Sequence, residues 1–250
     1  MLPRGVKLAG GVAVYGAGVL VAYEVTRPQP ALPSASCRCC TFSTLAPKYD
    51  AEIEKDESTS GILALRGELA TAAHGRVLEI AGGTGRNLPY YPPSVSSLLI
   101  TDNSEPMLQQ AARKVAEGAG AQAALDRSSV TLAVVDASAL DLPSGSFDTV
   151  VDTFGLCSFE RPAEALREMQ RVCKPGGSIL LLEHGVSDWT LLARWQQHRL
   201  NRHVQRWGCY WNRDIEALVR ESGLKVVEAK RQHFGTTYWM RCEPGGGTAV

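Results

Sequence analysis

The sequence predicts an α/β fold: a Rossmann-like, seven-stranded, mostly parallel sheet with helices on both faces, plus one N-terminal transmembrane helix. Three observations predict it. From about residue 60 onward, apolar runs of strand length alternate with helix-like stretches. A glycine-rich turn follows the first of these runs, and an uncharged apolar segment lies near the N-terminus. Sheets of this type bind ligands beyond the carboxyl ends of their strands, so we expect the functional site at that edge.

Hydrophobic periodicity sets the limits of the predicted strands and helices. The predicted strands are Arg76–Ile80, Ser97–Thr101, Val130–Val134, Asp148–Asp152, Ser178–Glu183, Leu224–Lys230 and Thr236–Cys242. The predicted helices cover residues 61–73, 104–117, 162–173 and 212–222. A chain of 250 residues has room for one such domain and an appendage.

The N-terminal segment predicts a membrane anchor within residues 1–24. Leu8–Tyr23 carries no charge, and the run extended back to Gly5 would span roughly 28 Å as a helix, enough for a bilayer core. A cleaved secretory signal and a buried soluble helix are the alternatives. The glycines disfavour a soluble helix and suit a packed membrane helix. Ala9, Ala13 and Ala17 would form a ridge of small residues, which predicts packing against a partner helix, such as that of a membrane-complex subunit.

The rest of the chain divides by composition. Residues 25–47 contain four prolines, which is typical of a semi-extended linker. We expect the α/β domain over residues 48–243 and a flexible tail over residues 244–250.

Charge and cysteine content limit the partners of the protein. Lys and Arg together number 26, as do Asp and Glu, so no overall field attracts the protein to nucleic acid, which is not an expected partner. Seven scattered cysteines do not form a disulfide framework. The cluster of Cys37, Cys39 and Cys40 lacks a second pair of zinc-ligand spacing. We therefore expect no metal site, although the cluster would allow a disulfide in an oxidising compartment.

The first predicted strand runs into a glycine-rich turn, Glu79–Gly85. Glycines at this place allow a tight turn and a close approach of the backbone to a ligand. Asp102, at the end of the second strand, can accept hydrogen bonds from both hydroxyls of a ribose. Asp136, after the third strand, can accept one from the exocyclic amine of an adenine. The glycine turn alone would fit a dinucleotide enzyme nearly as well.

Across residues 45–243 the order of these motifs resembles the class I S-adenosylmethionine (SAM)-dependent methyltransferases, of the type 11 or ubiquinone-biosynthesis-like group. Thr153–Ser158 and the turn Lys174–Gly177 complete the resemblance. It implies SAM as cofactor, bound by Glu79, Ala81, Gly82, Gly83, Gly85, Asp102, Asn103, Met107, Asp136, Ala137 and Thr153. The family usually has glycine in place of Ala81. A positive φ there would strain the alanine, whereas a negative φ would be harmless.

The C-terminal third is similar to membrane-anchored mitochondrial methyltransferase-like proteins and to thiol methyltransferase-like proteins of the same branch. The similarity lies in Glu183–Gly185, Trp207–Asp214 and His233–Tyr238. It implies a single-pass protein of the mitochondrial inner membrane that methylates a small lipophilic or thiol acceptor. The alternative is a methyltransferase-fold accessory subunit of an inner-membrane complex, with weak or no catalysis.

The acceptor side is predicted from His184 and from the insertion that follows it. His184 ends the fifth strand and is expected to face the acceptor, either as a general base or as a hydrogen-bonded structural histidine. The aromatic residues of the insertion are expected to wall an apolar acceptor pocket: Trp189, Trp195, Trp207, Tyr210 and Trp211. Four basic residues would share one helix face and meet lipid head groups, RNA phosphates or only solvent: Arg194, His198, Arg202 and Arg206.

Overall fold

The structure is a computed structural model that describes residues 35–118 and 126–245, together with the single positions 19, 23 and 32. The chain divides into two compact units, Met1–Leu32 and Pro33–Val250. Within the described residues, no helix has the length and hydrophobicity of a membrane span. Apart from positions 19 and 23, the predicted anchor, with Ala9, Ala13 and Ala17, lies outside the described residues, as does most of the predicted tail.

Seven strands form one sheet in the order β3-β2-β1-β4-β5-β7-β6. They are β1 (Gly75–Ile80), β2 (Val95–Asp102), β3 (Val130–Val134), β4 (Phe147–Thr153), β5 (Cys173–His184), β6 (Lys225–Gln232) and β7 (Thr237–Glu243). The first five strands pair in parallel, whereas β7 runs antiparallel to both β5 and β6. The predicted seven-stranded, mostly parallel sheet is therefore confirmed.

Helices cover both faces of the sheet, as predicted. They are α1 (Ala35–Leu45), α2 (Tyr49–Ser60), α3 (Ile62–Ala70), α4 (Glu105–Glu117), α5 (Pro162–Val172), α6 (Thr190–Trp207) and α7 (Ile215–Glu221). One core cluster buries the apolar residues of α5 and α7 against the sheet, and a second cluster buries those of α3 and α4. Because the strand order reverses between β1 and β4, the carboxyl ends of these two strands open a crevice where a ligand can bind.

Two helices differ from the sequence prediction. Residues 25–47 were expected to be a semi-extended linker, but the last part of this stretch forms α1, which packs on α6. The helix α2 was not predicted at all. It carries five acidic residues and no apolar stripe, so hydrophobic periodicity could not reveal it. Its acidic residues form ion pairs with Arg86, directly after the glycine turn, with Arg66 of α3 and with Lys114 of α4. The domain boundaries drawn from the sequence stay predictions.

The insertion after β5 folds as the single long helix α6. Of the four basic residues predicted to share one face, Arg194, Arg202 and Arg206 are exposed and His198 is half-buried. The helix ends at Gly208, whose φ of 74° reverses the chain. A side chain at this glycine would collide with Phe42 of α1, with a closest approach of 2.8 Å. The glycine therefore permits close packing between α1 and the end of α6.

Candidate active site

The glycine turn after β1 brings the backbone of the chain to the edge of the sheet. A Cβ on Gly82 would lie 2.3 Å from a methyl group of Ile100, so only glycine fits at this position. Gly83 adopts a φ of 55°, in the left-handed region that favours glycine. Its N–H donates a hydrogen bond to Asp102 Oδ2 at 2.9 Å. The turn is thus attached to the end of β2 by a backbone-to-carboxylate bond.

Ala81 occupies a strained position in this turn. Its φ is 50°, which decides between the two alternatives that the sequence left open. A left-handed conformation costs an alanine about 1–2 kcal/mol. The neighbouring Gly82 N–H donates to Thr101 O at 2.9 Å and holds the turn in this shape.

Asp102 lies at the end of β2 with both carboxylate oxygens already engaged. Oδ1 accepts the N–H of Ser104 at 2.8 Å, and Oδ2 accepts that of Gly83 at 2.9 Å. Burial raises the pKa of Asp102 to about 6, although these backbone hydrogen bonds oppose the rise. Each carboxylate oxygen has a second lone pair for a further donor. Asp102 is therefore oriented to accept two hydroxyl groups.

A cleft of about 210 Å³ opens at the carboxyl ends of β1 to β4. Nine of the eleven predicted cofactor residues line it: Ala81, Gly82, Gly83, Asp102, Asn103, Met107, Asp136, Ala137 and Thr153. At its rim, Asp136 is exposed and pairs with Arg161 at 3.0 Å. Hydrogen bonding from Ser138 lowers the pKa of Asp136. The two predicted acidic residues thus lie in the same cleft, Asp102 half-buried and Asp136 at the surface.

Glu79 and Gly85 do not line this cleft. The Glu79 carboxylate lies beneath the turn, where it accepts hydrogen bonds from Tyr91 Oη at 2.8 Å and Asn87 Nδ2 at 3.0 Å. Burial raises the pKa of Glu79 to about 7. A Cβ on Gly85 would lie 2.7 Å from Leu88. Both residues shape the turn from below and lie outside the lining of the cleft.

Sequence reasoning missed the ion-pair network that joins α2 and α3 to the glycine turn. Arg66, in α3, is buried and donates to Glu57 at 2.7 Å, to Asn87 Oδ1 at 3.1 Å and to Thr153 Oγ1 at 2.9 Å. Arg86, in the turn, pairs with Glu57 at 2.9 Å and with Glu54 at 2.8 Å. The sign of this network in the sequence is Arg66, a charged residue within the mainly apolar run of α3.

A second, larger cavity of about 510 Å³ adjoins the cleft. The two share the side chains of Phe42, Tyr49, Phe154 and Ser158. Of the five aromatic residues predicted to wall an acceptor pocket, Trp195, Trp207 and Trp211 line this cavity. Trp189 and Tyr210 do not: Trp189 packs against Phe234, and Tyr210 lies beside Arg213. Three of the five aromatic residues predicted to wall an acceptor pocket therefore line this cavity.

His184 ends β5 and lines the larger cavity, at the sheet edge where the sequence predicted it. Its ring packs against that of Phe154, with 4.3 Å between centroids. Phe154 has a φ of 61°, an uncommon conformation for an aromatic residue. This conformation places its ring at the boundary between the cleft and the larger cavity. His184 therefore lies on the side of Phe154 that faces the larger cavity.

A buried pair of carboxyl groups supports the segment after β4, which lies between the cleft and the larger cavity. Glu183 accepts the N–H groups of Gly155 and Cys157, each at 3.2 Å, and Asp152 accepts that of Leu156 at 3.1 Å. Burial raises the pKa of both carboxyls, and the proximity of the two raises that of Glu183 further. Through the backbone N–H groups that they accept, the two carboxyls hold the segment after β4 in place.

Comparison with known proteins identifies the family. The methyltransferase domain family matches residues 78–181. The mitochondrial methyltransferase OMS1 of Saccharomyces cerevisiae is 34% identical over 207 residues, which are 79% of this chain and 44% of the yeast protein. The phosphatidylethanolamine N-methyltransferase of Cereibacter sphaeroides is 36% identical over 163 residues, which are 63% of this chain and 76% of that protein.

A third relative is the ubiquinone/menaquinone biosynthesis C-methyltransferase UbiE of Azotobacter vinelandii. It is 34% identical, over 61% of this chain and 60% of its own length. The chain thus spans less than half of the yeast protein and about three fifths of this one. Among solved structures, the DhpI–SAH complex superposes with a TM-score of 0.63 at 18% identity, over 85% of this chain and 98% of that one. The fold, the site and the relatives agree: this chain belongs to the class I SAM-dependent methyltransferases.

Proposed function

We propose that this protein is a membrane-tethered methyltransferase that acts on a small lipophilic or thiol acceptor, with SAM in the cleft and the acceptor in the adjoining cavity. The observation that carries the proposal is the shared wall of the two spaces, at Phe42, Tyr49, Phe154 and Ser158. A cofactor on one side and an acceptor on the other can meet there.

The residues of the cleft fit SAM. Asp102 has free lone pairs for the ribose hydroxyls, and its orientation is set by two backbone N–H groups. Asp136 has its pKa lowered and is suited to accept from the adenine amine. Gly82 lets the turn pack closely on Ile100, and Gly82 and Gly83 line the cleft without side chains. Asn103, Met107, Ala137 and Thr153 complete the proposed contacts.

SAM, when bound, supplies an electrophilic methyl group, and a nucleophile in line with it needs little else. The aromatic wall of the cavity would bind an apolar acceptor and exclude water. His184 would accept the proton of an acceptor that still holds one, such as a thiol. The structural alternative for His184 is the ring contact with Phe154.

The proposed location is the mitochondrial inner membrane, with one N-terminal helix as the anchor. Its support is the apolar segment Leu8–Tyr23 together with the mitochondrial relative in yeast. In this proposal Ala9, Ala13 and Ala17 contact the helix of a membrane-complex subunit. The accessory-subunit alternative has one observation in its favour, the strain at Ala81, since a turn that costs 1–2 kcal/mol to form would weaken SAM binding.

The test is turnover by the full-length chain in detergent. Formation of S-adenosylhomocysteine would be measured with an alkyl thiol, an apolar quinol and phosphatidylethanolamine as acceptors. We expect turnover with at least one of them, and a decrease of about 10²-fold or more in kcat for His184→Gln with SAM affinity unchanged. Binding of SAM without any turnover, by a chain that copurifies in stoichiometric amount with a membrane complex, would favour the accessory subunit.

A further inference from the structure

Three side chains with metal-binding atoms meet in the wall of the larger cavity. Cys157, His184 and Cys209 each offer one such atom, and these atoms all lie within 4.8 Å of one another. They come from three places far apart in the sequence: the segment after β4, the end of β5 and the turn after α6. Among the side chains that the structure describes, this is the one group of its kind.

Backbone hydrogen bonds fix this arrangement. Glu183 accepts the N–H of Cys157 at 3.2 Å. The N–H of Tyr210 donates to Cys157 O at 2.7 Å, which joins the turn after α6 to the segment after β4. Gly208 makes the reversal that precedes Cys209. The two sulfurs are therefore brought together by the fold and not by local sequence.

The chemistry of these three groups is that of a zinc site. Two thiols and an imidazole match the protein ligands of zinc enzymes that use two cysteines and one histidine and keep a fourth position open. Cys157 is 1% exposed and Cys209 is 8% exposed, so their thiolates would need a buried cation as counter-charge. All three residues line the cavity, which gives a fourth ligand a direction of approach.

His203 adds a supporting contact. Its Nε2 lies 3.0 Å from Cys209 Sγ, and its ring stacks on that of Trp211 with 4.0 Å between centroids. With its proton on Nε2, His203 would donate a hydrogen bond to the sulfur and hold it in position. Metal ligands commonly have such partners behind them, and their loss weakens metal binding.

We propose that Cys157, His184 and Cys209 bind a thiophilic divalent cation, Zn²⁺, with the fourth position open to the larger cavity. This departs from the expectation of no metal site, which was drawn from Cys37, Cys39 and Cys40 and from the absence of paired spacing. The ring nitrogen that binds the cation cannot also accept a proton. A zinc site would therefore assign His184 to metal binding, whereas SAM binding in the cleft stands or falls separately.

The test is metal titration of the full-length, reduced and metal-free chain. Co²⁺ is the probe, because its thiolate complexes show a charge-transfer absorption. We expect one equivalent to bind with that absorption and Zn²⁺ to displace it. Cys157→Ser, Cys209→Ser and His184→Gln should each weaken Zn²⁺ binding by at least about 100-fold, since the loss of an outer partner alone costs about 10- to 100-fold.

Two controls separate this site from other thiols. The triple variant Cys37→Ser/Cys39→Ser/Cys40→Ser and the single variant Cys173→Ser should retain the Co²⁺ absorption. Loss of the absorption in the triple variant, with retention in Cys209→Ser, would overturn the proposal. A reduced wild-type chain that shows no thiolate charge-transfer absorption with Co²⁺ would also overturn it. The same holds if Cys157 and Cys209 are found joined in a disulfide before the chain is reduced.

A folding defect in the variants must not imitate the expected result. Zn²⁺ should raise the Tm of the wild-type chain, because it binds the folded state, and circular dichroism would report whether each variant is folded. His184→Gln changes a half-buried side chain at the cavity surface. Of the three ligand variants, it is the one expected to perturb folding least. A folded His184→Gln protein with undiminished Zn²⁺ affinity would contradict the assignment of this ligand.

Discussion

The cleft and the larger cavity are built in different ways, although they share a wall. The cleft is formed by turns that follow β1 to β4, and its polar groups are held by backbone hydrogen bonds at the sheet edge. The cavity is formed mainly by side chains of α1, α2 and α6, by His184 and by the segments 154–158 and 233–237, and three indole rings line it. The turns after the strands thus supply the polar cleft, whereas helices outside the sheet supply the apolar cavity that we propose for the acceptor.

The two spaces are separated by an ion pair as well as by aromatic rings. Arg66 lines the cleft and Glu57 lines the cavity, and their side chains are 4% and 8% exposed. Breaking a buried pair leaves an uncompensated charge and costs about 3–5 kcal/mol.

Arg66→Met should have the largest effect. We expect the free energy of unfolding to fall by about 3 kcal/mol, at the low end of the range, because Glu57 keeps its contact with Arg86. Urea unfolding followed by circular dichroism would measure it. The double variant Arg66→Met/Glu57→Leu should recover part of the loss, since it removes the unpaired charge. Lys225→Met, at an exposed ion pair with Glu243, is the control and should leave stability near that of the wild type.

Asp102→Ala should weaken SAM binding in the cleft and leave ligand binding in the larger cavity unchanged. Two hydrogen bonds from ligand hydroxyls to a carboxylate contribute about 1.5–3 kcal/mol each, so SAM affinity should fall by about 100-fold or more in calorimetry. Asp141→Ala removes an exposed carboxylate that lines neither space and should bind SAM as the wild type does. Equal SAM affinity in the Asp102 variant would show that the cofactor does not bind here.

The pH dependence of SAM binding follows from the same residue. The pKa of Asp102 is raised to about 6, so the free protein loses this carboxylate's charge as the pH falls through 6. If SAM binds to the ionised form, its affinity should be about tenfold lower at pH 5 than at pH 7. Calorimetry at both values would measure the change. Asp102→Asn cannot titrate and should lack this dependence, so a tenfold change that persists in it would come from another group.

Trp195→Ala should affect the cavity alone. The indole is 48% exposed and lies 5.1 Å from that of Trp211, so its removal takes away one wall without emptying the core. An apolar dye, 1-anilinonaphthalene-8-sulfonate, would probe the cavity by fluorescence titration. We expect about fivefold weaker dye binding, or about 1 kcal/mol, with SAM affinity unchanged. Trp189→Ala, an exposed indole outside both spaces, is the matched control.

The difference in construction also explains what the sequence could reveal. All seven strands were predicted, and nine of the eleven residues predicted to bind the cofactor line the cleft, because strand periodicity and a turn after a strand are local patterns. The cavity joins residues such as Phe42, Cys157 and Cys209, whose contact depends on the path of the whole chain. Helix α2 escaped prediction because it has no apolar stripe. Spacing could not show that the Glu79 carboxylate lies beneath the turn, against Asn87 and Tyr91.

Ala81→Gly should have the smallest effect and the opposite sign. Relief of a φ of 50° gains about 1–2 kcal/mol, whereas glycine gives the unfolded chain about 0.4–1 kcal/mol of extra entropy. The difference favours the variant by up to about 1.6 kcal/mol, and SAM affinity should rise by no more than the corresponding factor of about 15 if the strained turn also contacts the cofactor. Ala137→Gly, in the same cleft without a positive φ, should be destabilised instead. A loss of stability in Ala81→Gly as large as that in Ala137→Gly would mean that residue 81 is unstrained, and the argument from strain to an accessory role would fail with it.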